Sequence, residues 1–117
     1  MKINDLLSES EAARDRFWFI EDFYIKERTD QTVTIHFVVS SELFVQIFCS
    51  ERSGRLNLAL IGLSGRLYGR DREHGYWHLH PFGQSQIHQP APEGISPRPI
   101  MQFLTEVEKL LVEHDLI

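Results

Sequence analysis

The chain has 117 residues and a mass of 13.7 kDa, enough for one core and no second. With 42% apolar and 25% charged residues it has ordinary globular usage, which excludes disordered, collagen-like and low-complexity classes, and its single cysteine, Cys49, excludes an intrachain disulfide. A formal charge of −5 excludes a surface adapted throughout to nucleic acid.

Residues 4 to about 16 predict a short helix or two short turns, with Ser8-Glu9-Ser10-Glu11 fitting a serine-to-glutamate capping box. From Phe17 the composition turns aromatic and β-branched, and Trp18 to Ile25 predicts a first strand with Phe19, Phe23 and Ile25 inward. After a turn at Thr29-Asp30-Gln31, Thr32 to Val39 alternates Val33, Ile35, Phe37 and Val39 against a mixed face that places His36 outside. Leu43 to Cys49 is apolar on both sides, the pattern of a central, covered strand, and Cys49 reads as a small core residue. Leu56 to Leu63 is a fourth strand. Gly62, Gly65 and Gly69 then crowd a short fifth strand at Arg66 to Arg70, and Tyr76 to His80 is a sixth after a turn at His74-Gly75.

Residues 81–99 hold all five prolines and predict a loop, ordered or mobile. Beyond it Ile100, Phe103, Leu104, Val107, Leu110 and Leu111 carry the spacing of one helical face, with Ser96 as cap, Pro97 and Pro99 in the first turn, and Glu106, Glu108 and Glu113 on the solvated side. The expected class is α+β, a single domain over residues 1–117. It has a five- or six-stranded mostly antiparallel sheet, a short N-terminal helix, and a C-terminal amphipathic helix packed on the sheet. No stretch approaches the roughly 20 apolar residues that cross a bilayer, and the acidic opening Met1 to Asp5 lacks a leader's apolar run, so a cytoplasmic protein without membrane contact is expected.

The charge is unevenly spread. Residues 1–45 carry nine acids and five bases and residues 91–117 five acids and two bases, whereas residues 46–90 carry five arginines against three acids, with four of the six histidines. Arginine presents a permanent, planar charge suited to phosphate or carboxylate, so this segment is where an anion would bind; the plainer reading is a strand face fringed with arginine in water. Its densest part runs from Tyr68 to Phe82, with His88 beyond. On a strand the period of two sends His78 and His80 out of one face and Trp77 and Leu79 to the other. Two neighbouring imidazoles can act as base and acid, or can share a metal if His88, Asp71 or His74 supplies a third ligand. They can equally be structural, bonding backbone in the loop after Pro81.

The metal-free chemistry such a pair fits is cleavage of an RNA phosphodiester by its own 2′-hydroxyl. It needs a base, an acid and a cation for the phosphoryl charge. His78 with His80 or His88 would provide the first two and Arg70 or Arg72 the third, with Tyr76 and Trp77 available to stack a base, although Trp77 also reads as core. No phosphate loop, dinucleotide fingerprint, nucleophile elbow or Cys-x-x-Cys pair is present, which removes most nucleotide-dependent and redox enzymes.

Leu67-Tyr68-Gly69-Arg70-Asp71, Gly75 to Phe82 with its Trp-His-x-His-Pro core, His88 and the closing helix together resemble the TumE-like proteins, also grouped as domain of unknown function 6516. The resemblance runs from Phe44 onward and implies a toxin of a prokaryotic toxin–antitoxin pair, with a DNA-binding antitoxin as partner. Asp71, Trp77, His78, His80, Pro81 and His88 match its signature, while Arg72-Glu73-His74 departs from it in charge. The expected catalytic set is His78, His80, His88 and Asp71, with Arg70, Arg72, Trp77 and Tyr76 binding substrate and no metal or other cofactor. The expected partners are the antitoxin and RNA, and exposed strand edges would allow a homodimer. The alternative is a non-catalytic module whose Arg/His face binds a protein or an anion.

Overall fold

The computed structural model describes residues 1–117. Helix α1 (Ile3–Arg16) leads into seven strands, β1 (Asp22–Arg28), β2 (Thr32–Ser40), β3 (Leu43–Ser50), β4 (Arg55–Gly62), β5 (Gly65–Glu73), β6 (Tyr76–His80) and β7 (Gln89–Pro90), followed by helix α2 (Pro99–Glu113). The sheet is antiparallel throughout, and its strands lie side by side in chain order. The α+β class is as expected. The seventh strand is the addition: two residues of the proline-rich segment pair with β6, and Pro90, which has no N–H to donate, sits on the strand that ends the sheet. No helix is long and apolar enough to cross a membrane.

Both helices cover one face of the sheet. Val33, Ile35, Phe37, Val45, Ile47, Cys49, Leu56, Leu58 and Leu60 point toward them and are buried with Ile3, Leu6, Ile100, Phe103, Leu104, Val107 and Leu111. Strand β3 alternates buried with half-buried residues, so only one of its sides is covered, and Phe44 and Phe48 lie on the open face. His36 shares that face but is buried: its ring lies beside those of Tyr24 and Phe44, and its nitrogens bond the Tyr24 hydroxyl at 3.0 Å and Gln46 Oε1 at 2.8 Å.

Several local expectations are corrected by long-range contacts. The aromatic run at Trp18 is a bend, with Phe17 and Phe19 buried on either side while the exposed Trp18 indole donates to Glu108 Oε2 at 2.7 Å. Strand β1 begins only at Asp22, and Ile25, next to a bulge on this edge strand, is exposed. Helix α1 starts at Ile3, which places Ser8 inside it; the cap comes instead from Glu51, whose carboxylate accepts the Ile3 N–H at 2.9 Å. Helix α2 starts at Pro99, beyond Ser96, and its Met101 N–H donates to Glu9 Oε2 of α1 at 2.8 Å. Burial pushes the Glu9 carboxyl up, against the pull of the Met101 and Ile100 amides.

Glu106 is not solvated. The register sets Arg70 opposite Leu58 and Tyr68 opposite Leu60, so both project under α2. The Arg70 guanidinium donates to both Glu106 oxygens at 2.8 and 3.0 Å, and the Tyr68 hydroxyl donates to the same carboxylate at 2.6 Å. Burial, then the Glu106 bond and charge, pushes the Tyr68 phenol up to about 12. Glu106→Ala is expected to lower unfolding free energy by about 2–4 kcal/mol, because it strands a half-buried cation and a buried hydroxyl together. Denaturant titration reads this, and Glu106→Gln should recover part of the loss.

Candidate functional site

The site stands on the open face at the β5–β6 end of the sheet. His74 and Gly75, both at positive φ (52° and 82°), reverse the chain in a tight turn that sets Asp71 directly opposite His78 and Gly69 opposite His80. Residues 81–90 then fold back as a strap. The Gly83 N–H donates to the Leu67 carbonyl at 3.3 Å, the Ser85 hydroxyl donates to the Arg66 carbonyl, and β7 pairs with β6. The proline-rich segment is thus pinned to the sheet where the site lies. Its pinning carries His88 over the other rings, with centroids 4.1 Å from His78 and 4.8 Å from His80.

Three imidazoles surround one carboxylate. Asp71 Oδ2 lies 2.8 Å from His80 Nε2, while Asp71 Oδ1 lies 3.4 Å from His78 Nδ1 and 3.5 Å from His88 Nε2. Side-chain exposure divides the roles: Asp71 at 10% and His80 at 8% are interior, His78 at 26% and His88 at 49% are open to a ligand. His80 is held at both nitrogens, since its Nδ1 also lies 2.9 Å from the Ser85 carbonyl. His80 is therefore the strut that fixes Asp71, and His78 and His88 are the rings that face outward.

Asp71 Oδ1 and His78 Nδ1 are buried without hydrogen-bond partners, as is Arg66 Nε. Buried polar atoms left unpaired are costly and infrequent, and their concentration here marks the cluster as prepared for something.

The structure brings His78, His80, His88 and Asp71 together and does not bring Arg70, Arg72 or Trp77 to them. Arg72 stands opposite Trp77 on the helix-covered side, its guanidinium 5.5 Å from the indole ring, and Arg70 is taken by Glu106. Trp77 is core, packed so closely on Gly94 that a Cβ there would collide with the indole. Tyr76 is exposed at the end of the hairpin.

The arginine beside the cluster is Arg66, whose guanidinium donates at 3.1 Å to the Ser85 carbonyl that also receives His80. Simple alternation would put Arg66 on the same side as Tyr68 and Arg70. A register shift at Leu60/Ile61 moves it to the other face, against Gly69, where any Cβ would come within 3.1 Å of Arg66 Cδ and of the Leu58 carbonyl. The glycine makes the space that the arginine fills. The density of glycines at 62, 65 and 69 was the available signal for such a bulge.

Fold and site together define an open-faced α+β protein with a histidine–carboxylate centre. No protein-family profile, curated protein or solved structure matches the chain.

Proposed function

We propose that this chain is a TumE-like toxin of a prokaryotic toxin–antitoxin pair, acting in the cytoplasm, and that it cleaves RNA at the Asp71 cluster without a metal ion. The observation that carries the reading is the pair of accessible imidazoles, His78 and His88, held 3.4 and 3.5 Å from one buried carboxylate oxygen. One ring accepts the proton of the 2′-hydroxyl as O2′ attacks phosphorus. The P–O5′ bond breaks, and the other ring, protonated, supplies a proton to the departing O5′. The products are a 2′,3′-cyclic phosphate and a 5′-hydroxyl. Asp71 and His80 orient the rings, and Arg66 is the cation placed to offset developing phosphoryl charge. The partner antitoxin keeps this face from RNA until it is removed.

Incubating purified protein with end-labelled total RNA tests the reading. Cleavage with cyclic-phosphate ends, undiminished by a chelator, is expected. RNA left intact by folded protein would overturn it.

A further inference from the structure

The same cluster has the dimensions of a cation site. In a tetrahedral centre with bonds of about 2.0–2.2 Å, ligand atoms stand about 3.3–3.6 Å apart. The Asp71 Oδ1–His78 Nδ1 and Asp71 Oδ1–His88 Nε2 separations are 3.4 and 3.5 Å. All three atoms lie within 4.8 Å of one another, and a small swing of the half-exposed His88 ring closes the remaining edge. The separations are too long for strong hydrogen bonds yet short enough to be spanned by one ion.

A second observation points the same way. Asp71 Oδ1 and His78 Nδ1 are buried and unpartnered, whereas the other carboxylate oxygen is bonded by His80, which in turn is held by the Ser85 carbonyl. Carboxylates that ligate a metal are themselves held by hydrogen bonds, and His80 gives Asp71 that support through its outer oxygen. Two imidazole nitrogens and one carboxylate oxygen suit a borderline first-row ion. They do not suit magnesium or calcium, which ask for oxygen ligands.

We propose that Asp71 Oδ1, His78 Nδ1 and His88 Nε2 bind one divalent cation of the zinc class. The binding stands on the geometry alone. Its consequence, that the ion silences cleavage by occupying the lone pairs of the two proton-transferring rings, rests on the reaction proposed above.

The test is calorimetric titration of the full chain, stripped with chelator and dialysed, against Zn²⁺ and separately against Mg²⁺. One equivalent of zinc and no magnesium is expected. His88→Ala, which removes a half-exposed ring, and Asp71→Asn, which keeps the side-chain shape, should each weaken zinc binding at least tenfold; His74→Ala, in the turn, should not. The inference is overturned if the chain takes up no stoichiometric zinc, or if His88→Ala, shown folded by circular dichroism, binds it as tightly as before. RNA cleavage separates the two ideas. Cleavage in chelator by a chain that ignores zinc removes the metal site and leaves the ribonuclease reading. Zinc-dependent cleavage removes the metal-free reaction and leaves the site. Cleavage in chelator that stops on adding one equivalent of zinc supports both.

Discussion

Replacing Asp71 by alanine is expected to lower the unfolding free energy by about 2–4 kcal/mol, the result of taking a buried hydrogen-bond partner from His80 and leaving a cavity beside it. Asp71 is the single acidic group among three imidazoles, and its nearest contact, the 2.8 Å bond from His80, lies in the interior. Without the carboxylate, His80 keeps only the Ser85 carbonyl, while the strap stays pinned through Gly83, Ser85 and the β6–β7 pairing. A domain of this size has about 5–15 kcal/mol in all, so the loss takes a large fraction of it. Asp71→Asn keeps an oxygen for His80 and should cost less, about 1–3 kcal/mol. Urea titration of the three proteins decides: equal midpoints for wild type and Asp71→Ala would mean that the cluster contributes nothing to the fold.

His78→Ala and His88→Ala should behave in the opposite way, with little change in stability and a fall in RNA cleavage of about 10²–10⁴-fold each. Both rings are partly exposed, and neither side chain makes a hydrogen bond, their approaches to Asp71 being 3.4 and 3.5 Å, so little of the fold depends on them. Initial cleavage rates and growth arrest on expression, compared with thermal unfolding, read the two effects apart. His80→Ala should lose activity and stability together, since both nitrogens of that ring are spent on fixing Asp71 and the strap. Undiminished toxicity in a folded His78→Ala protein would remove that ring from the reaction.

The parts of this protein that sequence patterning reaches are those decided within one element. The three- and four-residue spacing of Ile100 to Leu111 is a helix that buries one side, and the alternation of Val33 to Val39 and of Trp77 to His80 assigned the correct faces. The expectation that Arg70 or Arg72 would serve the histidines failed on register: β5 pairs with β6 so that Arg72 stands opposite the core residue Trp77, on the side away from them. What stayed hidden is decided between elements. The caps on α1 and α2 come from Glu51 and Glu9, far away in the chain. Arg66 reaches the site through a bulge, and His88 through backbone pairing of Gln89 and Pro90, a contact with no side-chain signature. The pairing of Glu106 with Arg70 and Tyr68 depends on how α2 lies across β5, which no local pattern specifies.

The neighbour-to-neighbour order of the sheet bears on how the chain reaches this state. Each strand can zip onto the one just made, with only short loops to close, which favours rapid assembly on the growing chain. The apolar surface of Val45, Ile47, Leu58 and Leu60, however, is sealed only when α2 arrives, after every strand has been synthesised. Between those two moments the half-built molecule presents a broad sticky plane, the kind of species that aggregates or recruits chaperones. Docking of α2, which follows every strand in the chain, covers that plane, and its Glu106 clamps Arg70 on the strand that carries Asp71.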